Sequence, residues 1–181
     1  MAKVAIFGNG LAREGSFEWE SAKYLGEALS SNGFDIITGG YAGVMEAAFI
    51  NCSNNVKKIG VITENSEPNK YVSEIVKTKD YINRLLKLLE LADAYIVLPG
   101  GTGTFLEFAA VWALTERDII KDKPLITVGE MWNELIQTMA FYNESIVEHF
   151  DKVATTETAE DAAFYLISYF NDRITNNGSD I

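Results

Sequence analysis

Tyr95-Ile96-Val97-Leu98-Pro99-Gly100-Gly101-Thr102-Gly103-Thr104-Phe105-Leu106-Glu107 carries an apolar run through a proline and a glycine-rich loop straight into a segment of helical composition. The order strand, glycine loop, helix is the repeating joint of open α/β sheets, where backbone N–H groups and the helix dipole converge on an anion. This stretch therefore decides the fold class and is the first place to look for a ligand.

The same joint recurs on both sides of it. Lys3 to Phe7 reads as a strand turning at Gly8-Asn9-Gly10, and Glu18 to Ser31 as an amphipathic helix stopped by Asn32-Gly33. Phe34 to Thr38 is a second strand ending in Gly39-Gly40, Gly43 to Cys52 a buried helix, and Lys58 to Ile62 a third strand. Thr63 to Lys70 is polar and reads as a surface loop placed to fold over a site, and Tyr71 to Lys79 as holding a short strand. Tyr81 to Leu91 has helical period, Ala94 to Leu98 is the strand of the opening stretch, and a helix follows from Thr104 to about Arg117. Leu125 to Val128, Met131 to Tyr142, Val153 to Thr155 and Ala159 to Phe170 continue the alternation. The prediction is an α/β fold: one Rossmann-like domain over residues 1–170, with a doubly wound, mainly parallel sheet and helices on both faces. A polar, frayed tail is expected over 171–181.

Composition narrows the function. The 181 residues are 48% hydrophobic and carry a formal charge of −11, with no basic stripe, which argues against a nucleic-acid surface. No signal-like stretch and no uncharged apolar run near the roughly 20 residues of a membrane span is evident, so the expected location is cytoplasmic, away from membranes. One cysteine, Cys52, and one histidine, His149, leave no zinc set and no intrachain disulfide. A Ser-His-Asp triad would have to use His149, which sits in a polar segment without a nucleophile motif and reads as an exposed histidine.

Three strand ends carry glycine: Gly8 and Gly10; Gly39, Gly40 and Gly43; Gly100, Gly101 and Gly103. On one sheet edge they predict a cleft lined by backbone. Gly8-Asn9-Gly10-Leu11-Ala12-Arg13 is only half of a dinucleotide fingerprint, and Thr38-Gly39-Gly40 stands where a ribose-binding carboxylate would be needed. No Gly-Lys-Ser/Thr tripeptide completes a Walker loop. Thr102 and Thr104 can offer hydroxyls to phosphate oxygens beside free helix N–H groups. Glu107 has an ordinary structural reading too, since Thr104-x-x-Glu107 is a capping box.

Pro99-Gly100-Gly101-Thr102-Gly103-Thr104-Phe105-Leu106-Glu107 matches P-G-G-x-G-T-x-x-E, and Gly39-Gly40-Tyr41-Ala42-Gly43-Val44-Met45 resembles G-G-x-x-G-L-M. On these two motifs the chain resembles the LOG family, the cytokinin-activating phosphoribohydrolases long misannotated as lysine decarboxylases. The resemblance implies a homodimer that hydrolyses the N-glycosidic bond of a nucleoside 5′-monophosphate, without pyridoxal phosphate or any other cofactor and without a metal. It implies a catalytic pair of Glu107 and Arg84, the arginine 15 residues before the motif proline. Gly100, Gly101, Thr102, Gly103 and Thr104 would bind the 5′-phosphate, and Gly8, Asn9, Gly39, Gly40, Gly43 and Met45 would line the rest of the pocket.

Arg84-Leu85 stands where plant-type members have Arg-Lys, Glu46 where they have glycine after the methionine, and Gly8-Asn9-Gly10 where Gly-Ser is usual. These departures resemble a more distant bacterial or archaeal branch. Two other readings share the motifs: a non-catalytic nucleotide or molybdenum-cofactor carrier or sensor of the same fold, and a phosphate-binding scaffold whose site has decayed.

Overall fold

The computed structural model describes residues 1–121 and 123–177. Its strands are β1 (Lys3–Phe7), β2 (Asp35–Thr38), β3 (Lys58–Thr63), β4 (Glu74–Thr78), β5 (Ala94–Val97), β6 (Leu125–Val128) and β7 (Ala154–Thr156). Its helices are α1 (Phe17–Ser31), α2 (Val44–Ile50), α3 (Tyr81–Leu91), α4 (Thr102–Glu116), α5 (Glu130–Tyr142) and α6 (Ala159–Asn177), with a 3-10 segment, Glu144–Lys152, before β7. The strands form one sheet in the order β4-β3-β2-β1-β5-β6-β7, and every neighbouring pair is parallel.

Parallel strands covered on both faces need apolar residues at nearly every position, which is why the central strands read as continuous apolar runs. Successive side chains then divide between two cores. Val4, Ile6, Ile36, Ala94 and Ile96 pack under α1, α2 and α6; Ala5, Phe7, Ile37, Tyr95 and Val97 pack under α3, α4 and α5. The chain winds from β1 outward through β2 and β3 to β4, then returns to β5 beside β1 and winds the other way. The loops leaving β1 and β5 therefore part to opposite faces, and their separation opens a crevice at the carboxyl ends of those two strands.

Local chemistry sets the helix ends that matter for the site. Ser16 caps α1 by accepting from the Trp19 N–H at 3.3 Å, so that helix starts at Phe17, one residue earlier than expected. Asp80 caps α3 by accepting from the Asn83 N–H at 2.8 Å, which fixes the register of Arg84 one turn later. α2 is shorter than its apolar composition suggested, running only over Val44–Ile50. β4 occupies Glu74–Thr78 within the segment expected to hold a short strand, and β7 is shifted one residue toward the carboxyl end. The expected frayed tail from Asn171 is instead helical as far as Asn177. Here Arg173 lies over the Tyr169 ring one turn earlier, an i,i+4 pair of the kind that supports a helix, and Thr175 Oγ1 donates to the Asn171 and Asp172 carbonyls. The rest of the expected tail, 178–181, lies outside the described residues.

The tightest helix contact joins α1 to α2. A Cβ at Gly26 would stand 1.9 Å from the Ala48 carbonyl oxygen, a backbone atom that cannot swing aside. Gly26→Ala is therefore expected to destabilise the protein by about 3 kcal/mol, measured by urea denaturation, despite alanine's better helix propensity.

Candidate active site at the sheet's switch point

The crevice between the β1 and β5 loops is a cleft of about 330 Å³. Its walls include Gly8, Asn9, Gly10 and Leu11 after β1, Gly39, Tyr41 and Met45 around α2, Tyr81 and Arg84 of α3, and Gly101 to Thr104 with Glu107 at the start of α4. Ten of the thirteen candidate residues are thereby brought together: Gly8, Asn9, Gly39, Met45, Arg84, Gly101, Thr102, Gly103, Thr104 and Glu107.

The other three, Gly40, Gly43 and Gly100, shape the loops and do not line the cleft. Gly43 has φ +65, and a Cβ there would meet the Asn9 carbonyl oxygen at 2.4 Å; one at Gly100 would meet Thr104 Oγ1 at 2.3 Å. Gly40, with φ +73, backs onto Gly60 and Ile62. Asn9 ties these loops together: its N–H donates to the Pro99 carbonyl, and its own carbonyl accepts from Ala12 and Val44. Its side-chain oxygen accepts from the Leu11 N–H, so that oxygen already serves its own turn.

α4 begins at Thr102, with Gly101 at the cap position, two residues before the expected start. The capping-box reading of Glu107 is thereby overturned, because Thr104 lies inside the first turn and no side chain caps the helix. Helix geometry leaves the N–H groups of Thr102, Gly103 and Thr104 without intrahelical acceptors. They sit in the cleft wall at the positive end of a 15-residue helix, an arrangement suited to an anion.

Arg84 is 5% exposed, an unusual burial for a guanidinium, and each side of it is met. Nε donates to the Val61 carbonyl at 2.8 Å and Nη2 approaches the Met45 sulfur at 3.7 Å. The Tyr41 and Tyr81 rings lie 5.2 and 5.8 Å from its central carbon, within cation–π range. Gly39 leaves it room, since a Cβ there would fall 1.5 Å from Nη2. Thr38 shapes that turn, its hydroxyl accepting from Gly40 N–H and donating to the Met45 carbonyl. Across the cleft, Arg84 Nη1 and Glu107 Oε1 are 4.0 Å apart, attracted but too distant for a direct hydrogen bond.

Burial pushes the Glu107 carboxyl up, the Arg84 charge only partly offsets this, and its pKa is raised to about 7. Burial also pushes the Tyr41 phenol up, but hydrogen bonds with Ser66 and Thr63 and the Arg84 charge outweigh it and hold the phenol below its ordinary value.

Sequence reasoning missed both tyrosines. Tyr81 had a signal, being three residues before Arg84 on one helix, whereas Tyr41 stood at an unspecified position of its loop motif. Glu46, which stands where plant-type members have glycine, does not line the cleft. His149 is half-buried in the 3-10 segment, not exposed, and does not line the cleft either. The 63–70 segment, expected as a loop able to fold over a site, is bonded to the Gly40-Tyr41 turn: the Asn69 N–H donates to the Gly40 carbonyl and Asn69 Nδ2 to the Tyr41 carbonyl, both at 2.7 Å.

A family model described as "Possible lysine decarboxylase" matches residues 36–167, most of the chain. The chain belongs to this family, the LOG family. Among LOG relatives, the Arabidopsis thaliana cytokinin riboside 5′-monophosphate phosphoribohydrolase LOG1 is 30% identical over 161 residues, covering 82% of this chain and 71% of that one. The probable enzyme of the same name, LOGL6, from Oryza sativa subsp. japonica is 29% identical over 159 residues, and this chain spans only 61% of its length. The molybdenum cofactor binding protein from the phototrophic bacterium Rippkaea orientalis superposes with a TM-score of 0.73 at 22% identity, covering 93% of this chain and 97% of that one. The molybdenum cofactor carrier protein MCP from Chlamydomonas reinhardtii gives 0.69 at 21% identity, covering 94% and 99%. These two likenesses show a shared fold. No helix among the described residues is long and apolar enough to cross a membrane.

The acidity of Glu107 leaves a trace in stability. A carboxyl whose folded pKa lies above its unfolded value favours the folded state while protonated, and that contribution is lost as pH rises from 4.5 through about 7. Denaturation of wild type and Glu107→Gln across this window should show the difference moving toward the variant by up to about 3 kcal/mol. A constant difference would mean that Glu107 titrates normally.

Proposed function

We propose that the protein hydrolyses the N-glycosidic bond of a nucleoside 5′-monophosphate, giving free base and ribose 5-phosphate. The observation that carries this is Glu107, its side chain 12% exposed and 4.0 Å from Arg84, in the same cleft as an uncapped helix N-terminus. The free N–H groups of Thr102, Gly103 and Thr104, with the glycines around them, suit a phosphate. One helical turn further on, a carboxylate and a guanidinium face the space that a ribose and its base would enter.

In the proposed reaction the bond from C1′ to the base nitrogen breaks, its electrons leave with the base, and positive charge develops on the ribose. Ionised Glu107 stabilises that charge and orients the attacking water or a ribose hydroxyl. Water supplies the hydroxyl at C1′ and the proton that ends on the base. Arg84 holds the sugar or the departing base and attracts the Glu107 carboxylate. The names of the LOG relatives support the substrate class. The second reading, a carrier that binds without turnover, is favoured by the likeness to molybdenum cofactor proteins and shares the anion cup but gives the buried carboxylate no task.

We also propose a homodimer, which fits the apolar side chains left exposed on two helices of one layer: Ile82 and Leu86 of α3, Phe105 and Leu106 of α4. Sedimentation velocity should report twice the chain mass, and Leu106→Glu should shift the population toward monomer.

Purified protein incubated with AMP and other nucleoside monophosphates should release free base, seen by chromatography. Turnover should rise with pH through about 7 as Glu107 ionises. Glu107→Ala should lower kcat by about a hundredfold or more. Tight AMP retention with no base released from any nucleotide would select the carrier reading.

A further inference from the structure

Two aromatic rings flank Arg84, and they reach it differently. Tyr81 belongs to the same helix three residues earlier, so its contact comes with helix geometry. Tyr41 arrives from the β2–α2 turn and is anchored at one end by the last residue of β3 and at the other by the segment after it. Its hydroxyl accepts from the Thr63 N–H at 3.1 Å and shares a 3.3 Å hydrogen bond with Thr63 Oγ1, which pairs with Ser66 Oγ at 2.8 Å. Its carbonyl accepts from Asn69 Nδ2 at 2.7 Å.

The guanidinium needs such support. Its Nε bond to the Val61 carbonyl is a pivot, and its outer nitrogens have as neighbours one sulfur at 3.7 Å and one carboxylate oxygen at 4.0 Å. Loss of the Tyr41 ring, 5.2 Å from the central carbon, leaves Tyr81 at 5.8 Å beside the group and loosens it about that pivot, so that it loses its bearing on Glu107. We propose that Tyr41 is a positioning residue, a ring braced by residues 63–69 that holds Arg84 facing Glu107 across the cleft. On this view the polar segment after β3 is a strut for the arginine, where the sequence suggested a lid. The kinetic consequence rests on the phosphoribohydrolase reading; the orientation of Arg84 does not.

Tyr41→Leu removes the ring, and Tyr41→Phe keeps it while removing the hydroxyl. Nitrogen-15 NMR of ligand-free protein, with Arg84→Lys to assign the signal, should show a slowly exchanging Arg84 Nε–H in wild type and a fast-exchanging or shifted one in Tyr41→Leu. Tyr41→Phe, which keeps the Asn69 bond to its carbonyl and loses the Thr63 bonds, should show an intermediate rate. With AMP, Tyr41→Leu should lose about ten- to a hundredfold in kcat with KM moving less than about threefold, and Tyr41→Phe should recover part of the loss. If wild type releases no base, the proposed reaction fails while the NMR comparison still decides the positioning role. An unchanged Arg84 signal in Tyr41→Leu, or a Tyr41→Phe as defective as Tyr41→Leu, would overturn it. Should circular dichroism show that Tyr41→Leu does not fold, Asn69→Ala, outside the cleft wall, takes its place. It should speed Arg84 Nε–H exchange, and an unchanged rate would count against the proposal.

Discussion

A guanidinium buried beside the sheet is the most demanding group in this structure. Removing a charge from water costs several kcal/mol unless its hydrogen bonds and electrostatics are replaced. Four separate segments supply the replacement for Arg84: the Val61 carbonyl of β3, the Gly39-Tyr41 turn with Met45, Tyr81 of α3, and Glu107 of α4. Each can reach the arginine only because the parallel sheet brings the carboxyl ends of its strands to one edge. Gly39 is required for a steric reason, since any side chain there would occupy the space of Nη2.

The same edge holds two opposed electrostatic environments within one cleft. The start of α4 presents unpaired N–H groups and the positive end of a helix dipole, which suit an anion. Glu107, one turn along, is buried enough that its carboxyl resists ionising despite the arginine opposite. A ligand with a phosphate at one end and a centre of developing positive charge at the other would use both environments, and this complementarity links the fold to the proposed chemistry. It also explains why the helix start matters: a cap supplied by Glu107 would have consumed both the carboxylate and an N–H group.

Much of this was legible along the chain. The strands were visible as apolar runs because both of their faces are covered, and the glycine loops because backbone must approach backbone there, as Gly43 does against Asn9. Asn32-Gly33 stopped α1 as expected, with Gly33 at φ +83. Arg84 and Glu107 were singled out by the family resemblance, without any indication of how they are held. The errors fell at places where local signals compete with side-chain partners distant in the chain or along a helix. The Thr104-x-x-Glu107 spacing mimicked a cap although α4 had already begun, and the polar 63–70 segment looked free although Asn69 bonds it to the Gly40-Tyr41 turn. α6 outlasted its apolar period, with Arg173 set over the Tyr169 ring one turn back.

Local patterning, then, determined the order of elements and the parallel α/β class, because periodicity and glycine placement are properties of neighbouring residues, and the resemblance of two motifs to a family singled out the two charged residues. Tertiary structure alone decided that those two residues face each other at 4.0 Å, that burial raises the pKa of one, and that Tyr41 and Tyr81 flank the other. These are consequences of distance and solvent exclusion between segments far apart in the chain, and no local pattern encodes them.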